Sequence, residues 1–355
     1  MADRARAFEV RLAGSWQIQT AYRTDGRFAS IPAFARWLGD TRPDLVYVFD
    51  MALAGVVAAG LHRWRSGARL VVDTGDAITA LARSLRGPVG VAVTAALERF
   101  ALASADHIVV RGTYHRELLA AKGVAATVIP DGVDLDVFQP RDDRRGRTLL
   151  GVGDELTIGV LGSCIWSPSV QIAYGWDLVE LLGLLRGRPV KGVLIGDGSG
   201  VAHLRERARA LGVEDQMVFA GRRPMEELPD LLAACDICLS TQTNDDAGNV
   251  RTTGKLPLYL ACGRYVLASR VGEARYVLPE EMLVPYDGLV DRAYPGRLAE
   301  RVRVLADDRA QLTLRDRGPA IAHEHFDYNR LAARLATLLT TLDGGHADVP
   351  DGMRA

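Results

Sequence analysis

With 355 residues, 48% hydrophobic and 25% charged, the chain exceeds one ordinary domain and can bury a large core. Its net charge of -1 supplies no global field to recruit nucleic acid or an acidic membrane. No stretch reaches about 18 unbroken apolar residues and no signal-type apolar segment opens the chain, so the expectation is a cytoplasmic protein, compatible with peripheral membrane attachment.

Met1–Ala7 reads as the end of a helix, and Phe8–Leu12 then reads as a strand. A doubly wound domain normally opens on a strand and a glycine-bearing loop, so the first domain is expected to be N-terminally shortened or to lack its first βα unit. Strands are expected at Leu45–Phe49, Arg69–Asp73, His107–Val110 and Thr127–Ile129, separated by helices at Ile31–Leu38, Ala54–Trp64, Gly90–Ala103 and Tyr114–Lys122. The scheme repeats with strands at Leu156–Leu161, Lys191–Ile195, Met217–Ala220, Ile237–Ser240, Tyr265–Ala268 and Met282–Val284. Helices near Tyr174–Leu185, Val201–Leu211, Glu226–Ala234, Pro257–Ala261 and Pro295–Ala306 alternate with them, and Tyr328–Leu342 is a last amphipathic helix. Continuous apolar strands with helical crossovers indicate parallel sheets covered on both faces, and two such series indicate two doubly wound α/β domains.

The boundary is expected in the polar run Gln139–Arg147, read as a solvated inter-domain connection, and the tail from Asp343 to Ala355 as disordered. Cys235 and Cys238 form a lone C-x-x-C without a second pair at zinc spacing, so they read as buried free thiols.

In open α/β sheets, ligands bind beyond the carboxyl ends of the strands. The candidate loops are therefore Gly162-Ser163-Cys164, Gly196-Asp197-Gly198-Ser199-Gly200 and Ser240–Lys255, with Asp50-Met51, Asp73–Asp76 and Arg111–His115 in the first half. Gly196–Gly200 begins like a dinucleotide fingerprint, but the next strand ends Phe219-Ala220-Gly221 without the expected acid, so a tight turn serves equally well. Gly248 to Gly254-Lys255 fails as a phosphate-binding ATPase loop, because five residues separate the glycines and Leu256 replaces the required hydroxyl. Arg251, Thr252, Thr253, Gly254 and Lys255 leading into a helix nevertheless bring cations, hydroxyls and free N–H groups to one place, a chemistry suited to a phosphate.

The order of motifs from about Asp106 to Tyr328 resembles the retaining glycosyltransferases of group 1 (family 4), of GT-B architecture. The resemblance rests on Val128-Ile129-Pro130-Asp131-Gly132-Val133-Asp134 with Phe138 and Pro140, Leu194-Ile195-Gly196-Asp197-Gly198, Phe219-Ala220-Gly221, Ala234-Cys235-Asp236-Ile237, Lys255-Leu256 through Tyr259-Leu260-Ala261-Cys262-Gly263, Val266-Leu267-Ala268-Ser269 and Val271-Gly272. It implies two Rossmann-like domains facing across a cleft. Residues 1–140 would form the acceptor side and 141–325 the nucleotide-sugar side, with 326–342 a helix crossing back and 343–355 the tail. It also implies sugar transfer to a polysaccharide, lipid-linked or small-molecule acceptor, without cofactor or metal and without nucleic acid.

Carried over residue by residue, Gly162 matches the donor-diphosphate loop, whose common Arg and Lys are replaced here by Ser163 and the Pro168–Ser169 neighbourhood, Gly196, Asp197 and Gly198 match the next loop, and Lys255 matches a basic position. Arg251 is the candidate for a second positive charge, and Asp76 for an acceptor contact or a turn aspartate. The family's Glu-x7-Glu is absent: its positions fall on Val250 and Leu258. Asp245 and Asp246 are candidates for the sugar and Glu273 for the ribose. His115 reads as a surface residue at a helix start, His323 and His325 as a solvated face, and Trp166, Tyr174 and Trp176 as core or as stacking platforms. The rival classes are a non-catalytic GT-B-fold binding or partner protein, favoured by Leu258, and an epimerase or phosphorylase-like enzyme, which lacks its expected carboxylates or cofactor lysine.

Overall fold

A computed structural model of the chain describes residues 2–24, 26, 28–85 and 87–344. They form two compact units: the described residues of 2–130, 250–252 and 328–344 make the first, and 131–249 and 253–327 the second.

The first unit runs α1 (Ala2–Leu12), α2 (Ser30–Thr41), β1 (Leu45–Val48), α3 (Leu53–Ser66), β2 (Arg69–Thr74), α4 (Ile78–Leu85), α5 (Pro88–Ser104), β3 (His107–Val110), α6 (Thr113–Ala120) and β4 (Ala126–Val128). Its four strands are all parallel and lie in the order β1-β2-β3-β4. Side chains alternate across the sheet. Leu70, Val72, Ile108 and Val110 face one core with Leu38, Val56, Ala59, Ala101 and Leu119. Val71 and Val109 face the other, against Phe8 and Leu12 of α1 and Leu331, Leu335 and Leu339 of the last helix.

The expected strand at Phe8–Leu12 is part of helix α1. Phe8-Glu9-Val10-Arg11-Leu12 alternates as a strand would, yet Val10 is 75% exposed while Ala5, Phe8 and Leu12 are buried. That spacing is helical. Arg4, 3% exposed, donates to Asp73 and to the carbonyls of Ile129 and Pro130, so α1 is tied to the sheet by a buried ion pair as well as by apolar contact.

The second unit runs α7 (Arg144–Leu150), β5 (Leu156–Leu161), the antiparallel hairpin β6 (Trp166–Ser167) and β7 (Ile172–Ala173), α8 (Trp176–Leu184), β8 (Val190–Ile195), α9 (Val201–Leu211), β9 (Met217–Gly221), α10 (Leu228–Ala233), β10 (Ile237–Ser240), α11 (Asp246–Val250), α12 (Lys255–Ala261), β11 (Tyr265–Ser269), α13 (Ala274–Val277), β12 (Leu283–Val284), α14 (Tyr294–Asp307) and α15 (Gly318–Phe326). The final helix, α16 (Tyr328–Asp343), belongs to the first unit. The six-stranded sheet has the order β12-β11-β10-β5-β8-β9. From β5 the chain winds outward through β8 and β9, then returns beside β5 as β10 and winds the other way. The winding reverses between β5 and β10.

The first unit ends at Pro130, rather than in the polar run after Gln139. That run is not a free connection but leads into α7. Arg141 and Arg145 pair with Asp230 and Arg147 with Asp143 and Asp236, and Gly146 lies so close to the Asp230 carbonyl that a Cβ there would sit 1.9 Å from the oxygen. Arg141, Asp142, Arg144 and Arg145 are exposed, as in a solvated run, but Arg141 and Arg145 also pair with Asp230 of α10. Of the tail expected from Asp343, Asp343 closes α16 and Gly344 follows it, while residues 345–355 lie outside the described residues.

Candidate functional site

The carboxyl ends of β5 and β10 are where the winding reverses, and such a switch point opens a crevice in a parallel sheet. Two loops are bound together at the β5 side. Gly162 N–H donates to Ile195 O, Cys164 N–H to Asp197 O, and Gly200 N–H to Cys164 O. The glycines are required by closeness: a Cβ on Gly196 (φ +147) would lie 1.9 Å from Gly162 O, and one on Gly198 (φ +153) 2.5 Å from Cys164 O. Asp197 accepts from Gly198 N–H at 2.7 Å, and the Ser199 hydroxyl accepts from Trp166 N–H. Gly196, Asp197 and Gly198 thus seat the loop after β5, and that packing accounts for them by itself.

Over this loop stands Lys255, the first residue of α12. Its Nζ lies 3.5 Å from the centroid of the Tyr174 ring, a cation–π contact. A Cβ on Gly162 (φ +155) would meet Lys255 Cε at 2.7 Å and Nζ at 2.9 Å. Bare Gly162, the ammonium of Lys255 and the exposed Ser163 therefore adjoin one another at the end of β5. Tyr174 is oriented from below, its hydroxyl 3.5 Å from Leu239 O, and burial raises its pKa. Cys164 beneath the loop is fully buried, its thiol pushed up to about 11 by burial, and all four cysteines are buried free thiols.

At the β10 side the polar residues support one another. Asp245 caps α11, accepting from Thr243 Oγ1 at 2.7 Å and Gly248 N–H at 2.9 Å. Asn249 accepts from Gly272 N–H, and Gln242 donates its backbone N–H to the Ser269 hydroxyl and its side-chain amide N–H to Gly248 O. Asp246 is exposed at the start of α11, Gly254 is exposed, and Thr252, Thr253 and Glu273 are half-buried. Glu273 precedes α13 as its N-terminal flank. Val250 is fully buried, and Leu258 packs against the second unit's core.

Arg251 belongs to the first unit by its packing, where its Nε donates to Asp76 at 3.1 Å. The Asp76 carbonyl also accepts from Thr74 Oγ1. The structure thus joins Gly162 to Lys255 and Arg251 to Asp76. His115 is a correction: rather than lying on the surface it is 2% exposed, and burial lowers its pKa to about 4. His323 is exposed on α15, and His325 lies 3.8 Å from Glu324. Trp166 stacks on His203 at 3.8 Å between centroids, with Trp176 at 6.2 Å from Trp166. Sequence reasoning missed the hairpin that carries Trp166 and delivers Tyr174 under Lys255. Its strands are two residues each, too short for a periodic signal. No helix of the described residues is long and apolar enough to cross a membrane.

Comparison with known proteins agrees with this arrangement. A family model of the glycosyl transferase 4-like domain matches residues 2–132, and one of the glycosyl transferases group 1 matches residues 158–308. The chain is 29% identical over 245 residues to a D-inositol 3-phosphate glycosyltransferase of Thermobispora bispora, covering 66% of this chain and 55% of that protein. It is 28% identical over 317 residues to a GDP-mannose-dependent alpha-(1-6)-phosphatidylinositol monomannoside mannosyltransferase of Mycolicibacterium smegmatis, covering 84% and 77%. The chain spans about half the length of the first curated relative it matches. Among solved structures, Anabaena HepE in complex with UDP is similar in fold, with a TM-score of 0.72 at 21% identity over 87% of this chain and 82% of that one. Two Rossmann-like parallel sheets with alternating helices are the components of the GT-B fold, and the two family models together span most of the described residues. The chain belongs to the group 1 glycosyltransferases.

Proposed function

We propose that the protein transfers a sugar from a nucleotide-sugar donor to an acceptor hydroxyl, with retention at the anomeric carbon and without a metal ion. The observation that carries this reading is the junction of Gly162 and Lys255 at the β5/β10 switch point, where a side-chain-free loop adjoins a fixed ammonium. During transfer the bond from the anomeric carbon to the diphosphate oxygen breaks, and the acceptor oxygen takes its place. The acceptor proton passes to the departing diphosphate. Lys255 neutralises the charge that gathers there. Gly162 lets the diphosphate approach the loop backbone, whose exposed Ser163 offers a hydroxyl. Leu258, Asp245, Asp246 and Glu273 are the surroundings in which sugar and ribose would lie, with Thr253 and Gly254 leading into α12. Asp76 with Arg251 and Thr252 is the first unit's candidate for the acceptor side. The relatives' names, one for inositol 3-phosphate and one for a phosphatidylinositol mannoside, support an inositol-bearing acceptor over a simple polysaccharide.

The purified protein should hydrolyse or transfer from at least one member of a panel of UDP- and GDP-sugars, and EDTA should leave the rate unchanged. Loss of turnover in EDTA would remove the metal-free step, and neither turnover nor a thermal shift with any donor would end the reading. One observation favours a second reading. Buried Val250 and core-packed Leu258 stand where the family pattern carries carboxylates, so a protein that binds nucleotide without turnover would be a non-catalytic relative.

A further inference from the structure

Helix α5 of the first unit carries an apolar face turned to solvent. Val89, Ala92, Val93, Ala96 and Phe100 follow one another at helical spacing and are all exposed, Val89 to 78%. The ridge continues onto α3. The ring of Phe100 lies against Gly60, where a Cβ would meet it at 2.9 Å, and one turn along α3 from Gly60 stands Trp64, 84% exposed. Single exposed apolar residues are ordinary, but a continuous stripe ending in an exposed tryptophan is not.

The charge around this stripe has one sign. Helices α3, α4 and α5 carry Arg63, Arg65, Arg83 and Arg99, with Glu98 as their single acid. Glu98 is occupied by Thr79, which donates to it from both its N–H and its hydroxyl. The nearby Asp106 is likewise occupied, by Arg63, Arg69 and the N–H of Leu70. Arg65, Arg83 and Arg99 are exposed. For a chain of net charge -1, this is a local concentration of positive charge beside apolar side chains.

We propose that this α3–α5 face rests on an anionic lipid surface. Tryptophan and short aliphatic side chains enter the headgroup boundary, while long arginine stems let their guanidinium groups reach lipid phosphates. A second copy of the chain is disfavoured as occupant, because a two-fold contact through this face would set the same arginines against one another. The proposal does not depend on the sugar-transfer reading, since no residue of the donor loops takes part.

The test is co-sedimentation of the full chain with vesicles of phosphatidylcholine alone or in equal parts with phosphatidylglycerol, at low and high salt. The protein should sediment with the anionic vesicles and bind neutral ones at least about tenfold more weakly, with high salt reducing the anionic binding by a similar factor. The combined substitution W64S, V89S and V93S, all at exposed positions, should cut binding by about tenfold or more. Replacing Arg65 and Arg99 with Gln should lower the preference for anionic vesicles several-fold. Both variants should keep the wild-type melting temperature and nucleoside diphosphate affinity. Absence of sedimentation, or variants that bind like wild type, overturns the proposal. So does self-association without lipid that the triple variant abolishes, as does retention on an acidic polypeptide column without vesicle binding.

Discussion

Lys255 separates a ligand site from mere packing. Its ammonium is held on the face of Tyr174 and beside Gly162 by the geometry of α12, so it is positioned before any diphosphate arrives. Replacing it with Met keeps most of the stem that packs there and removes the charge. One charge-assisted contact is worth about 2 kcal/mol, so Lys255→Met should raise the Kd for UDP or GDP by about thirtyfold, measured by calorimetry, with the melting temperature little changed. An unchanged Kd would remove Lys255 from the diphosphate's surroundings. Arg251 is a different case. It is half-exposed, and its guanidinium forms a screened surface pair with Asp76.

At the scale of elements, α8 joins sequence to chemistry through its first turn. Asp177 accepts a hydrogen bond from Thr241, yet burial, reinforced by Asp291 and Glu180, raises its pKa from 3.8 to about 7. Between those two pH values the folded protein binds a proton that the unfolded chain has released. Folding stability therefore falls as pH rises through this window, the opposite of an ordinary ion-paired aspartate. Asp177→Asn should flatten that slope in denaturant titrations across the window, whereas an identical slope in the variant would assign it to other groups. This effect was not legible in the sequence, because the carboxylates around Asp177 come from α8 itself and from a loop more than a hundred residues away. The parallel strands were legible, since their apolar runs are continuous and bounded by glycine turns. Helix α1 was not, because Phe8–Leu12 satisfies both periods and only burial decides between them. Nor was α7, whose Arg145 finds Asp230 of α10 and whose Arg147 finds Asp236, partners that sequence distance conceals.

At the scale of the molecule, the chain returns to its beginning. Two α/β units and the loop carrying Gly162 could be read from strand patterning and motif order. Which helix completes which core could not, because amphipathicity says that a face is buried and not against what. Helix α16 follows the second unit in sequence but packs with α1 on the first sheet, through Leu331, Leu335 and Leu339 against Phe8, Val71 and Val109. Leu335 is 2% exposed in that contact. Leu335→Ala should cost about 2–5 kcal/mol, the range for emptying a leucine site in a core that relaxes only in part. The loss should be confined to one unit. Hydrogen exchange by mass spectrometry should show faster exchange in β2 and β3, while β5 and β8 keep wild-type protection. If α16 completed the second core instead, protection would be lost from β5 and β8 and retained in β2 and β3. If the two units unfolded as one, all four strands would accelerate together, and the first unit's dependence on α16 would have to be sought by truncating the helix.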